Sequence, residues 1–365
     1  MKAISKPVRI KLNKLLVIVA AWILVGVGVA LYDYAAFRSE FSLGTTEYYS
    51  LSQSLIYGVL AALISGTLGG SFLIFYVNER FRDRSYGRNI LLVALSFVSI
   101  VVFITSLFGV FIAMERSGQP LMHDRTWDEF WGYIIDPIHL KNILLWAPVV
   151  SLTQFALQIN DKFGRGVLWS FIRGKYHKPR EETRIFMFVD LVSSTQIAEK
   201  LGNKLYHNLL KDFFADVTNP ILFNNGDIYQ YVGDEIVISW KMHEGVENGE
   251  CVQCYFDMQK AIADNKEKYE KRYGSLPEFK AGMHYGKVCA GEVGIIKRDI
   301  TYSGDVLNTA ARIQGKCNEF KTKFLTSDEL LSKLSLTSFF KAISIGDIEL
   351  RGKGQKIALS AIEFS

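Results

Sequence analysis

The amino-acid sequence predicts a membrane domain of four α-helices followed by an α+β domain with a mainly antiparallel sheet. Three observations predict this fold. The apolar residues, 49% of the 365-residue chain, concentrate in four long runs within the first 160 positions. The rest alternates between strand-like and helix-like patterns, and two of the strand-like patterns end in an aspartate. We therefore divide the chain into a membrane domain (1–160), a joint helix with a tether (161–182) and an α+β domain (183–365).

The four apolar runs are each long enough to cross a bilayer as a helix, which takes roughly 20 residues. They cover about Leu15–Phe37, Leu51–Val77, Ile90–Met114 and Asn142–Ile159. A cleavable signal peptide explains the first run poorly, because no small-residue cleavage site interrupts it and three further runs follow. The sequence therefore predicts four membrane-spanning helices, with the lipid bilayer as a partner of this domain.

Lysine and arginine are distributed unevenly among the connections between these runs. They are frequent before the first run, between the second and third, and after the fourth. They are rare in the other two connections, Arg38–Ser50 and Glu115–Leu140. The positive-inside rule then predicts a multi-pass protein of the cell (inner) membrane, with both termini and the α+β domain in the cytoplasm. This topology explains the net charge of +5, so no nucleic acid is expected as a partner.

The segment 161–182 joins the two predicted domains. Its apolar residues recur on one face of a helix, as Phe163, Val167, Leu168, Phe171 and Ile172. Gly174 ends this helix, and Pro179 follows in the tether. Two interpretations stay open for the segment: an element that transmits a signal, and a passive anchor at the membrane surface.

The α+β domain begins with a strand at Arg184–Asp190. A helical pattern follows, then a hairpin around Gly233 and a long helix near Val246–Tyr273. A strand pair within Phe279–Tyr302 and a helix over about Asp305–Lys316 come next. The order strand, helix, hairpin, helix, strand is that of a ferredoxin-like sandwich, in which helices cover one face of the sheet.

Asp190 and Asp234 each lie at the end of an apolar strand, in RIFMFVDLVSST and GDIYQYVGDEIVISW. The Gly233-Asp234 pair is typical of a tight hairpin turn, which presents its side chains beside the end of a neighbouring strand. Two carboxylates brought together repel each other unless a cation bridges them. The pattern therefore indicates either a divalent-metal site with oxygen ligands or two ordinary turn aspartates.

A third stretch, GMHYGKVCAGEVGIIKRDITYSGDVLNTAARI, runs from Gly282 to Ile313. Together with the two aspartate-containing stretches, it resembles the catalytic domain of the class III nucleotidyl cyclases, from about Ile185 to the C-terminus. The resemblance implies conversion of a nucleoside triphosphate to a 3′,5′-cyclic nucleotide and pyrophosphate. It also implies a head-to-tail homodimer with active sites at the subunit interface.

The resemblance also implies roles for individual residues. Asp190, Leu191 and Asp234 are expected to hold two Mg²⁺ or Mn²⁺ ions per active site. Asn308 is expected to orient the ribose, and Arg312 to stabilise the pentavalent transition state, for which a permanent, fork-shaped cation is suited. The other expected substrate contacts are a phosphate loop at a helix N-terminus, Ser193, Ser194 and Thr195, and a terminal phosphate-binding cation, Arg351 or Lys353.

The two positions that read the base in this family carry Gln230 and Thr301 here. Adenylate-forming members usually have Lys at the first position and Asp, Thr or Ser at the second, whereas guanylate-forming members usually have Glu and Cys. A glutamine amide can donate to adenine N1 and a threonine hydroxyl can accept from N6, so ATP is favoured over GTP. Because the amide can also present its oxygen, a guanylate or dual-specificity cyclase stays open.

Two other classes of protein are weighed against an adenylate cyclase. A diguanylate cyclase would share a hairpin like YVGDEI, but the GDVLNTAARI helix and the position of Asp190 argue against it. A membrane receptor that binds nucleotide without turnover would explain Gln230, whereas the aspartates, Asn308 and Arg312 argue against it. The sequence thus favours a membrane-bound adenylate cyclase whose membrane domain is a candidate regulator.

Overall fold

The structure, a computed structural model, describes residues 6–37, 51–77, 86–163, 170, 173–296, 298–335, 339–350, 354 and 356–364. The chain forms two compact units, Met1–Lys162 and Phe163–Ser365. Each unit has an apolar core of its own. The predicted joint helix between them lies largely outside the described residues.

The described part of the first unit is helical. Its helices are α1 (Lys6–Phe37), α2 (Leu51–Ser71, continued by a π-helical segment over Phe72–Val77), α3 (Tyr86–Ser117), α4 (Asp124–Ile135) and α5 (Pro137–Phe163). Among the described residues, four segments are long and apolar enough to cross a membrane: Lys11–Ala36, Gly58–Val77, Gly87–Ser117 and Ile143–Asn160. The predicted set of four apolar helices is confirmed.

Helix α4 was not expected from the sequence, which shows no long apolar run between the third and fourth spans. It is short and amphipathic, so it escapes a search for membrane-spanning segments. Its residues Thr126 and Phe130 are buried, and the Phe130 ring packs against Gly109 of α3. Trp127 and Trp131 are exposed, and their ring centroids lie 5.3 and 5.4 Å from that of Phe130.

Small residues let α1 and α2 approach each other closely. A Cβ atom added to Gly26 would lie 3.2 Å from the Gly58 carbonyl oxygen, and one added to Gly70 would lie 2.7 Å from Leu15 Cδ1. Helix α5 is tied to α1 by Trp22, whose Nε1 donates to Thr153 Oγ1 at 3.0 Å. Such small-residue contacts and interhelical hydrogen bonds are what holds helices together in lipid.

The second unit contains, within the described residues, an eight-stranded sheet. Its strands are β1 (Arg180–Leu191), β2 (Asp227–Val232), β3 (Glu235–Lys241), β4 (Phe279–Val293), β5 (Asp299–Ser303), β6 (Phe324–Ser327), β7 (Phe340–Glu349) and β8 (Lys356–Phe364). They follow the order β2-β3-β1-β4-β6-β8-β7, and β5 pairs with the C-terminal part of β4. Among these described pairs, β4–β6 alone is parallel.

The helices of this unit are α6 (Ser194–Phe223), α7 (Met242–Val246), α8 (Glu250–Asp264), α9 (Lys266–Tyr273), α10 (Asp305–Gly315) and α11 (Asp328–Leu331). The single long helix predicted near Val246–Tyr273 is therefore wrong: the segment is divided into α8 and α9. The division falls at Asn265, whose side chain donates to the Ala261 carbonyl at 2.9 Å and so ends α8.

Strand β1 is buried on both faces and separates two layers. Ile185, Met187 and Val189 pack with α6 and α8 in the main core. Phe186 and Phe188 lie on the other face, which α10 covers. The order β2-β3-β1-β4, with α6 and α8 on one face, is the ferredoxin-like arrangement that the sequence predicts, so the α+β fold class is confirmed.

Strand β1 begins four residues earlier than the sequence predicts. Its first residues, Arg180–Thr183, continue the ladder with β4, in which Arg180 lies opposite Ala290. These residues are charged or polar, so they lack the apolar pattern that identified the rest of the strand. The C-terminal end of β1 therefore lies beside the β2–β3 turn. Its N-terminal end lies opposite the part of β4 that also pairs with β5.

Candidate active site

The structure brings Asp190 and Asp234 together at one edge of the sheet. Asp190 lies near the end of β1, and Asp234 lies in the β2–β3 turn after Gly233. Gly233 has a φ of +63°, a conformation that glycine adopts without strain. Because β3 pairs directly with β1, Asp190 lies opposite Glu235. The carboxyl groups of Asp190 and Asp234 are close enough for Asp234 to raise the pKa of Asp190.

Asp190, Asp234, Glu235 and Lys280 form what we call the Asp190 cluster. Burial and the neighbouring Asp234 raise the pKa of Asp190, and Lys280 opposes this shift. Burial, together with the charges of Asp190 and Asp234, raises the pKa of Glu235 to about 7. The cluster therefore concentrates more negative charge than its lysine balances, and a bound cation would be stabilised there.

Two side chains from other elements contact Asp190. Lys280 Nζ lies 3.4 Å from Asp190 Oδ2, and Gln314 Nε2 donates to that oxygen at 3.1 Å. Neither residue could be identified from the sequence, because their proximity to Asp190 depends on the register between β1 and β4 and on the packing of α10. The sequence shows only that a lysine lies near the start of the apolar strand β4.

Ser193, Ser194 and Thr195 lie at the turn from β1 into α6. Ser193 precedes the helix with a left-handed φ of +56°, and its side chain makes no capping hydrogen bond. The first N–H groups of α6 have no partner within the helix, and the positive end of its dipole lies at this turn. Next to Asp190, the arrangement suits a ligand that carries phosphates and a cation.

Asn308 and Arg312 lie one turn apart on α10. The sheet-facing side of this helix buries Val306, Ala310 and Ile313. Within the described residues, neither Asn308 nor Arg312 has a hydrogen-bond or ion-pair partner, and neither contacts Asp190 or Asp234. The pair is thus available to a ligand, on a different face of α10 from Gln314.

Gln230 and Thr301 lie on β2 and β5, strands that are not neighbours in the sheet. The Gln230 side chain is exposed and Thr301 is half-buried. The adjacent residues hold the two strands together: the Tyr229 and Tyr302 rings are 5.0 Å apart, and the Tyr302 backbone N donates to Tyr229 Oη at 3.3 Å. The structure therefore places the two predicted base readers on strands that are tied to each other.

The opposite end of β1 carries a second charged group, the Arg184 cluster, formed by Lys175, Glu182, Arg184 and Asp227. Arg184 is 2% exposed and lies 3.0 Å from Asp227 and 3.3 Å from Glu182. Its guanidinium also lies over the Tyr302 ring, 4.8 Å from the centroid. Lys175 Nζ lies 3.0 Å from Glu182. Two cations here face two carboxylates.

The donor set at the Asp190 cluster fits a hard divalent cation. Carboxylate oxygens are the ligands that Mg²⁺ and Mn²⁺ prefer. Leu191 has a buried apolar side chain, so only its backbone carbonyl could be a ligand. The described residues contain no group of three or more His, Cys, Asp or Glu side chains that could hold a metal alone, so substrate oxygens or water would complete the coordination. Arg351 and Lys353 lie outside the described residues.

Comparison with known proteins places these residues in a family. The model of the adenylate and guanylate cyclase catalytic domain matches residues 176–360. Adenylate cyclase 2 of Rhizobium meliloti (strain 1021) is 36% identical over 222 residues, which are 60% of this chain and 61% of that protein. An adenylate cyclase of Anabaena cylindrica is 27% identical over 48% of this chain and 36% of its own length. The chain thus spans less than two thirds of either relative.

A solved structure of a bacterial light-regulated adenylyl cyclase shares the fold. It aligns with a TM-score of 0.51 and 19% identity, over 63% of this chain and 65% of that chain. The family match spans half of the chain and includes the Asp190 cluster, the α6 N-terminus and the helix with Asn308 and Arg312. The chain therefore belongs to the adenylate and guanylate cyclase catalytic domain family.

Proposed function

We propose that this protein is a membrane-bound adenylate cyclase that converts ATP to 3′,5′-cyclic AMP and pyrophosphate. The observation that carries the proposal is the Asp190 cluster: Asp190 and Asp234 brought together at one edge of the sheet, with unbalanced negative charge, beside an uncapped helix N-terminus. ATP as the substrate is supported by the adenylate cyclases among the relatives and by the donor and acceptor groups of Gln230 and Thr301.

In the proposed reaction the ribose 3′-hydroxyl gives its proton to water, and its oxygen bonds to the α-phosphorus. The bond from that phosphorus to the oxygen bridging the α- and β-phosphates breaks, and the electron pair stays on that oxygen, which leaves with pyrophosphate. Asp190, Asp234 and the Leu191 carbonyl would hold two Mg²⁺ or Mn²⁺ ions per site, which would supply activation of the hydroxyl and neutralisation of the leaving group.

The chain's own residues bind and orient the nucleotide. The α6 N–H groups at Ser193, Ser194 and Thr195 bind the triphosphate. Asn308 orients the ribose, and Arg312 places its permanent charge against the non-bridging oxygens, where negative charge accumulates in the transition state. Arg351 or Lys353 binds the terminal phosphate.

The proposed active unit is a head-to-tail homodimer. Among the described residues, Asn308 and Arg312 have no partner and no contact with the aspartates of their own chain. A second copy related by a two-fold axis would bring its own Asn308 and Arg312 to Asp190 and Asp234 of the first. Each dimer then has two equivalent sites, and both chains contribute to each.

The proposed location is the inner membrane, which the four apolar helices of residues 1–160 cross. The basic connections support a topology with both termini and the catalytic domain, residues 183–365, in the cytoplasm, where ATP is available. Residues 161–182 connect the two domains, either as a signal-transmitting element or as a passive anchor, and the membrane domain is a candidate regulator of turnover.

Product analysis of the purified full-length protein tests the activity and the base together. The protein is incubated with ATP or GTP and with Mg²⁺ or Mn²⁺, and the cyclic product is identified chromatographically. Cyclic AMP from ATP is expected as the main product. A cyclic GMP product at equal or higher catalytic efficiency would replace the adenylate assignment, and the absence of any cyclic product would contradict the enzyme assignment.

Mixed dimers test the shared site. Asp190→Ala and Arg312→Ala chains are each expected to be inactive, because every site in either homodimer lacks one group. In co-purified heterodimers one site collects both defects and the other none. Random pairing makes about half of the dimers mixed, so recovery should approach roughly a quarter of the wild-type activity. Proven heterodimers without recovery would contradict the shared site.

A further inference from the structure

Gln314 is a buried amide on the sheet-facing side of α10, with 6% of its surface exposed. Its Nε2 donates to Asp190 Oδ2 at 3.1 Å. Lys280 Nζ approaches the same oxygen, at 3.4 Å. Both donors therefore act on one oxygen of the Asp190 carboxylate, which leaves Oδ1 available to a cation.

The Gln314 contact depends on a close approach of α10 to β4. A Cβ atom added to Gly282 would lie 2.1 Å from the Gln314 backbone N and 2.4 Å from its Cα. Any side chain at residue 282 would therefore push the helix away from the sheet. With glycine there, helix and strand meet backbone to backbone, and Gln314 reaches Asp190 on the adjacent strand β1.

We propose that Gln314 is a positioning residue for Asp190, so that α10 serves both active sites of the dimer. This inference rests on the proposed function. On the buried face of α10, Gln314 orients the metal-binding carboxylate of its own chain. On the other face, Asn308 and Arg312 complete the site of the second copy.

A neutral amide suits this role. It restricts the Asp190 carboxylate to one orientation without adding a positive charge that would compete with a divalent cation. Lys280 already supplies the one nearby positive charge of the cluster. Hydrogen-bond partners of metal-binding groups typically contribute 10–100-fold to metal affinity or activity. The packing of Ala310 and Ile313 fixes the helix that carries the amide.

The first test measures metal binding in the full-length protein. Gln314→Met keeps the length of the side chain and removes its donor. We expect a roughly tenfold loss of Mn²⁺ affinity, measured by electron paramagnetic resonance of free Mn²⁺, with an unchanged thermal midpoint. The matched control is Gln253→Met, since Gln253 Nε2 also donates to a carboxylate, Asp257 Oδ1, at 2.7 Å on α8. Equal Mn²⁺ affinities for the wild type and Gln314→Met would overturn the proposal.

The second test asks which chain needs Gln314. In the mixed dimer the complete site takes Asp190 from the Arg312→Ala chain and Arg312 from the Asp190→Ala chain. Gln314→Met should lower turnover about tenfold, and raise the Mn²⁺ concentration needed for half-maximal turnover, when it is in the chain that supplies Asp190. We expect no such effect when it is in the other chain, where residue 190 is alanine.

The outcomes of the second test separate the possible failures. An equal loss from either chain would mean that Gln314 only holds α10 in place, and the positioning role would be wrong. Mixed dimers that show no activity even before Gln314 is changed would contradict the shared site in the proposed function. The Mn²⁺ titration of the homodimer would still decide whether Gln314 orients Asp190.

Discussion

Strand β1 carries a charged cluster at each end, and the two clusters are balanced differently. At its start, the Arg184 cluster sets two cations against two carboxylates. At its end, the Asp190 cluster sets one lysine against three carboxylates. The Arg184 side chain is 2% exposed, whereas the Asp190 side chain is 25% exposed. We call the first the closed end, because it is neutral around a buried arginine, although Asp227 itself is 39% exposed. We call the second the open end, because its negative charge is centred on a partly exposed carboxylate.

The two clusters shift the pKa values of Glu182 and Glu235 in opposite directions, while at Asp227 burial outweighs Arg184 and raises the pKa. Burial raises the pKa of Glu182, but the hydrogen bonds and charges of Lys175, Tyr176 and Arg184 outweigh it and lower the pKa overall. At the other end, burial and like charges raise the pKa of Glu235 to about 7. A compensated cluster of this kind can stabilise the fold, whereas an uncompensated one is suited to bind a cation.

The largest expected effect is at the open end. Asp234→Asn should lower turnover by more than about 1,000-fold, because a direct metal ligand outweighs the outer-shell partners that contribute 10–100-fold. The thermal midpoint should stay the same or rise, since the substitution removes negative charge beside Asp190 and Glu235. Asp264→Asn, at the exposed end of α8, is the control for loss of one carboxylate. Substantial turnover at saturating Mn²⁺ would refute the two-aspartate site.

At the closed end, a substitution should lower the stability of the protein and leave its turnover nearly unchanged. Arg184→Met leaves Glu182 and Asp227 without their shared cation, and removal of one partner of a buried pair costs about 3–5 kcal/mol. We expect the midpoint of thermal inactivation of the full-length protein to fall by roughly 10 °C, with near-normal turnover in the folded fraction. Lys175→Met removes the 36% exposed cation of the same cluster and should cost no more than about 1 kcal/mol. Equal losses of stability in Arg184→Met and Lys175→Met would contradict the importance assigned to the buried arginine.

The smallest effect concerns the predicted base readers, which the closed end supports through Tyr302 and Tyr229. Gln230→Lys should raise the preference for ATP over GTP about tenfold, since lysine can only donate and guanine N1 is itself a donor. The measurement is the ratio of kcat/KM for the two nucleotides. Gln230→Met, which lacks the amide, should lower the preference for ATP over GTP. A ratio that neither substitution changes would mean that residue 230 does not contact the base.

The parts of this fold that depend on local pattern could be predicted from the sequence. The β2–β3 hairpin follows from its Gly-Asp turn, and the membrane helices follow from their length and apolar composition. The contacts of Lys280 and Gln314 with Asp190 could not, because they require the register between β1 and β4 and the absence of a side chain at Gly282. The β1–β4 register joins strands about 90 residues apart, with no short turn between them to fix it.

The roles of Asn308 and Arg312 were predicted from a resemblance. Their lack of a hydrogen-bond or ion-pair partner among the described residues could not have been predicted from the sequence. A surface ion pair would have been an ordinary fate for an arginine on a helix. That no described carboxylate pairs with Arg312 is a property of how α10 lies on the sheet. The two residues were thus identified from the sequence, whereas the packing of α10 on the sheet determines which face of the helix carries them.

The pairing of β1 with β4 also has a consequence for biosynthesis. Asp190 pairs with Lys280, about 90 residues later, so β4 leaves the ribosome on the order of 5–20 s after β1. During that interval the apolar segment Ile185–Val189 has no partner on one edge, although β3, about 50 residues after it, is made sooner. An exposed apolar edge can pair with another nascent chain. Pairing with β3 would cover one edge of β1 early, whereas the other edge stays open until β4 joins the sheet and completes the Asp190 cluster.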